Sequence, residues 1–170
     1  GNSKLMKLLT PQQIHAICVK ETYDIEVSYL EGPSARVVSG CQNIRTKLVS
    51  WIHVEQHTMD TLVASFRNEK EARDCYDRFD QTICVSQFVQ KDFCQLLDFQ
   101  KPCTVLYNTV ESDRILAESN ESVPELLNDK RVRMIAVGTL KQSKGYIRLL
   151  KIIKRLRDAQ YPVRLYILGV

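Results

Sequence analysis

Apolar positions along this chain alternate between two spacings, and the alternation predicts the fold class. Short apolar segments at 23–30, 47–54, 82–86, 103–107, 132–137 and 163–168 have the length and residue types of strands. Between them run charged stretches, at 68–79, 89–97 and 143–157, in which apolar residues recur three and four apart, as in helices with one buried face. Thr10-Pro11-Gln12-Gln13 has the form of a capping box with proline in the first turn, so a helix is expected from there toward Lys20. Glu31-Gly32-Pro33 predicts a turn into a short helix through Cys41. Ile83, Cys84 and Val85 form an unbroken apolar run, the pattern of a strand covered on both faces.

Strands separated by helices pair in parallel through right-handed crossovers, so the expected class is α/β. The carboxyl edge of such a sheet would collect Glu31, His53, Ser86 and Asn108. Composition then shifts: 111–130 is polar and charged, with Ser122-Val123-Pro124-Glu125 marking a helix start inside it. The expected division is a first domain over 1–110, an interdomain connection over 111–130, and a second α/β unit over 131–170. That second unit reads strand, loop, helix, strand. Two strands and one helix cannot cover both faces of a parallel sheet, so it is expected to be incomplete.

Charge and cysteine content narrow the classes further. With 24 basic and 20 acidic side chains the net charge is +4, too mild for the basic stripe of a nucleic-acid binder. No apolar run approaches the roughly 20 residues of a membrane span, and the amino terminus lacks a signal-peptide core, so a cytoplasmic location is expected. Cys18, Cys41, Cys75, Cys84, Cys94 and Cys103 are scattered without a C-x-x-C pair, which favours buried free thiols over a disulfide framework.

The strand-to-helix turn at 138–145 is the first place to look for chemistry. Such a turn aims unpaired amide N–H groups and the positive helix end at the space above the sheet, where phosphate is the usual occupant. Lys144 stands at the expected helix start and would add a full positive charge. A glycine and a lysine at this position also occur with no ligand. The segment Trp51-Ile52-His53-Val54-Glu55-Gln56-His57 is rich in polar side chains; His53, Glu55 and His57 lack a third ligand on one side, so no metal is expected there. Arg148, Lys151, Lys154, Arg155 and Arg157 lie opposite Leu149, Ile152, Ile153 and Leu156, a solvated face by default and a surface for anionic lipid as the alternative.

Five segments in register resemble the retaining family 4 glycosyltransferases of the GT-B superfamily. They are Tyr23-Asp24-Ile25, Trp51-Ile52-His53, Ile83-Cys84-Val85-Ser86, Val105-Leu106-Tyr107-Asn108, and Val137-Gly138-Thr139-Leu140-Lys141-Gln142-Ser143-Lys144-Gly145, the last followed by the strand Leu165-Tyr166-Ile167-Leu168-Gly169. The resemblance implies two Rossmann-like parallel-sheet domains, both incomplete here, with a nucleotide-diphosphate sugar bound in the cleft between them. It implies donor-binding roles for Gly138, Thr139 and Lys144, and a role for His53 in orienting the transferred sugar. It also implies a saccharide or lipid-linked acceptor, possible peripheral contact with the inner face of a membrane, and no cofactor or metal. On this reading the chain covers the later part of the acceptor-side domain and the start of the donor domain, and is inactive alone.

Thr139 stands where the family commonly has arginine, and the family's acidic pair would fall past Val170. These features fit a rival expectation, a non-enzymatic ligand-binding or interaction module with a GT-B half-fold; a third is a GT-B epimerase or phosphorylase.

Overall fold

The computed structural model describes residues 7–122 and 130–169. The chain forms two compact units, residues 1–110 and 111–170. The helix start expected at Ser122-Val123-Pro124-Glu125 falls largely outside the described residues.

In the first unit the described elements follow the expected order, with ends shifted by a few residues and one helix added. They are α1 (Pro11–Cys18), β1 (Ile25–Ser28), α2 (Pro33–Val38), β2 (Lys47–Ile52), α3 (Met59–Val63), α4 (Glu69–Tyr76), β3 (Gln81–Cys84), α5 (Gln87–Leu97) and β4 (Cys103–Val105). The capping box closes both ways: Thr10 N–H donates to Gln13 Oε1 at 2.8 Å, and Gln13 N–H donates to Thr10 Oγ1 at 3.2 Å. Helix α3 was not expected from the sequence.

The four strands are parallel and lie in the order β1-β2-β3-β4. Every connection steps in the same direction, and crossovers of one hand then place their helices on one face of the sheet. The burial pattern agrees. Leu48, Ser50, Ile52, Thr82 and Cys84 are buried, whereas Ile25 and Val27 on the other face of β1 are 60% and 46% exposed. The unbroken run at Ile83, Cys84 and Val85 is therefore corrected: Cys84 is fully buried, and its two neighbours are only half-buried.

The core forms where the helices meet that covered face. Tyr76, Phe66, Phe79 and Phe93 are fully buried, and Tyr76 meets Phe93 edge-to-face at 4.9 Å between ring centroids. The Tyr76 phenol oxygen accepts the Gly32 N–H at 3.2 Å, which fixes the turn leading into α2. The buried hydroxyls of Ser50 and Thr82 satisfy each other at 2.9 Å inside the sheet.

In the second unit α6 (Ser112–Ser119) precedes β5 (Val132–Val137), a 3-10 turn (Gln142–Lys144), α7 (Tyr146–Asp158) and β6 (Val163–Leu168). Strands β5 and β6 pair in parallel from Val132 opposite Val163 to Val137 opposite Leu168. Helix α6 occupies part of the stretch read as a connection. The whole is α/β with a four-stranded and a two-stranded parallel sheet, and no helix among the described residues is long and apolar enough to cross a membrane.

Candidate functional site

His53 follows directly on Ile52, the last residue of β2, so it stands at the carboxyl edge as expected. Its N–H donates to Glu31 Oε2 at 3.0 Å, bringing together two of the four residues assigned to that edge. Of the others, Ser86 caps α5, its hydroxyl accepting the Val89 N–H at 3.2 Å, and Asn108 is exposed beyond β4.

Two aromatic rings complete the surroundings of His53, and neither was assigned a role from the sequence. Tyr29 lies 4.8 Å from the imidazole and 5.2 Å from Trp51 between ring centroids; the Trp51 and His53 rings are near-parallel at 6.2 Å. The pairing of Ser28 with Ser50, carried one residue further, puts Tyr29 beside Trp51, and the strand period of two puts Trp51 and His53 on one side. The signal was thus present as the spacing of three residues, legible only once the β1–β2 register is known.

Inside this cluster Trp51 Nε1 and His53 Nε2 are buried without a hydrogen-bond partner. Trp Nε1 can only donate, and His Nε2 donates or accepts according to the tautomer. Native proteins leave few buried polar atoms unmatched, so two in one aromatic patch call for a partner from water or a ligand.

The loop after His53 is held in place. Asp92 of α5 accepts the Gln56 N–H at 2.7 Å and the His57 N–H at 3.2 Å, and His57 has a positive φ of 60°. The His57 ring turns toward Glu55, 3.5 Å away, rather than toward a shared ligand with His53.

In the second unit, Gly138, Thr139 and Lys144 lie on one loop at the carboxyl end of β5. Gly138 has φ 150°, and its carbonyl accepts the Tyr146 hydroxyl at 2.9 Å, tying the start of α7 to the strand end. A Cβ on Gly169 would come within 2.0 Å of that same carbonyl, so the loop and the end of β6 approach to backbone contact. Lys144 ends the 3-10 turn and is exposed, and Gly145 at φ 74° then redirects the chain into α7. The lysine therefore precedes the helix, where the sequence reading placed it within the start. Thr139 is exposed. A hollow of about 860 Å³ in this unit lies at the opposite end of the strands and is bordered by Arg131, Lys154, Arg157 and Tyr161.

His53 belongs to the first unit and the other three predicted residues to the second. No protein-family model matches this chain, and no curated protein matches it.

Proposed function

We propose that the chain carries part of a retaining glycosyltransferase of GT-B architecture, moving a sugar from a nucleotide-diphosphate sugar to a saccharide or lipid-linked acceptor. The observation that supports this reading most directly is the Tyr29–Trp51–His53–Glu31 cluster, with its two buried, unpartnered ring nitrogens. Aromatic faces cover the apolar side of a pyranose, while ring nitrogens meet its hydroxyls, a combination of apolar wall and few polar groups common to small-molecule sites. His53 orients the sugar; Glu31 holds the backbone that presents it.

The Gly138–Gly145 loop supplies the phosphate end. The first amides of α7 have no acceptor within their own helix and suit an anion, and Lys144 offsets the charge gathering on the departing nucleoside diphosphate.

The test is calorimetric titration of UDP, GDP and ADP onto the protein and its variants. One nucleotide is expected to bind, Lys144→Ala to weaken it at least about tenfold, and His53→Ala to leave its affinity unchanged. Equal affinity in Lys144→Ala would remove that lysine from the site, and binding of no nucleotide would end the proposal.

A further inference from the structure

A second cluster of chemically capable side chains lies toward the other end of the first sheet. His15 is on α1, Glu26 on β1 and Cys41 just beyond α2, and one donor atom from each lies within 4.8 Å of the other two. Glu26 and Cys41 are 8% and 3% exposed. A carboxylate so deeply buried needs a strong partner, and among the described residues its hydrogen bond is to His15, with Nε2 2.8 Å from Oε2. A cavity of about 280 Å³ opens onto all three residues and is bordered also by Gln12 and Thr46.

We propose that His15, Glu26 and Cys41 form a binding site for a zinc ion, held by imidazole nitrogen, carboxylate oxygen and thiolate sulfur with a cavity water in the fourth position. Zinc takes these donors at about 2.0–2.3 Å in a tetrahedral array, which sets donor atoms roughly 3.3–3.8 Å apart. The observed donors need only small side-chain movements to reach that spacing, the His15–Glu26 hydrogen bond opening as the imidazole takes the Nδ1–H tautomer and frees Nε2 for the metal. The thiol proton passes to solvent. Sulfur and imidazole together disfavour magnesium and calcium, which prefer all-oxygen sites.

The backbone is shaped to bring the three together. A Cβ on Gly40 would lie 2.0 Å from the Pro11 carbonyl oxygen and 2.8 Å from His15 Cβ, so only glycine lets α1 approach the residue before Cys41. Glu26 pairs with Leu48, and His53 lies five residues further along, about 16 Å at strand rise. The ion therefore clamps α1, β1 and the turn after α2 together, and does not take part at His53. The inference is independent of the sugar-transfer reading.

The experiment is titration of the chelator-treated, reduced full chain with Co²⁺, followed by displacement with Zn²⁺. One equivalent of cobalt is expected to give a thiolate-to-cobalt charge-transfer band and the visible absorption of a tetrahedral site; zinc abolishes both and raises Tm. Cys41→Ser is expected to lose the charge-transfer band. His15→Gln and the near-isosteric Glu26→Gln are each expected to weaken zinc at least about tenfold, with far-ultraviolet circular dichroism confirming the fold, while Cys18→Ser changes nothing. Should a variant fail to fold, protection of Cys41 from alkylation by zinc in the unmodified chain, read by mass spectrometry, gives the same answer. A hydrogen-bonded tie alone, with no cobalt band in the folded chain, would overturn the site. So would a band that persists in Cys41→Ser, or a Cys41 alkylated equally with and without zinc.

Discussion

At the scale of single residues, the described ion pair with the firmest physical footing is Arg36–Glu71. The guanidinium is buried and donates to both carboxylate oxygens, from Nε at 3.0 Å and Nη2 at 3.1 Å, and to the Leu9 carbonyl at 2.8 Å. The Arg67 N–H adds a third bond to Glu71 at 2.8 Å, while the Arg67 side chain donates to the Lys7 carbonyl at 3.0 Å. Burial pushes the Glu71 carboxyl upward, but the hydrogen bonds from Arg36 and the Arg67 backbone outweigh it and leave the group below its ordinary value. A carboxylate held lower in the folded state adds stability above the unfolded value near pH 4.3 and loses it as the pH falls through the folded value. Glu71→Gln is therefore expected to lower the unfolding free energy by about 3 kcal/mol at pH 7, with the gap to the unmodified protein narrowing below about pH 4. Urea unfolding across pH 3–7 tests this, and parallel curves for the two proteins would refute the assignment.

The thiols illustrate a different residue-scale effect. The scattered spacing favoured buried free thiols; Cys41, Cys75 and Cys84 are buried, Cys94 and Cys103 are half-buried, and Cys18 is exposed. Cys84 and Cys103 lie on a diagonal of the β3–β4 ladder with sulfur atoms 3.2 Å apart. The hydrogen bond between them and burial raise the Cys84 thiol, while the same contact lowers Cys103.

At the scale of elements, the approach of α1 to the end of α2 depends on Gly40. Gly40→Ala forces a methyl group against the Pro11 backbone, which a rotamer change cannot relieve. The expected loss is about 2–3 kcal/mol, with α1 released before the rest of the unit and preferential proteolytic cleavage around 19–24. Unfolding curves superimposable on those of the unmodified protein would show that the helix does not need this contact.

The same scale shows what could be read from the chain beforehand. The six strands and the longer helices were legible from the spacing of their apolar residues, whether that set ends up buried, as Val89, Phe93 and Leu97 do on α5, or largely exposed, as on β5. Helix α3 was not, because five residues with Leu62 alone buried carry no periodicity. Helix α6 buries none of its residues and leaves Ile115 and Leu116 exposed, so its charged composition looked like connection. His53 was identifiable from its place after a strand, yet its aromatic neighbours required the strand register. The His15–Glu26–Cys41 set was not identifiable, since separations of eleven and fifteen residues match no ligand spacing and only the fold brings them together.

At the scale of the whole molecule, the two units differ in how much they bury. The first holds the aromatic core around Tyr76; in the second, Ile153 is the one buried side chain among the described residues, and Ile135 and Val137 are mostly exposed. A two-stranded sheet with one helix across it is marginal as an independent fold. Amide hydrogen exchange should accordingly be at least about 100-fold slower in β2 and β3 than in β5 and β6 of this chain. Uniform protection across both sheets would mean that the second unit draws stability from contacts beyond its own core.

One acidic side chain has a mechanical consequence. Because two successive amides, at Gln56 and His57, end on the Asp92 carboxylate, the arm carrying the imidazole cannot swing apart from α5. The loop that follows His53 is thereby anchored to the layer of helices behind the sheet.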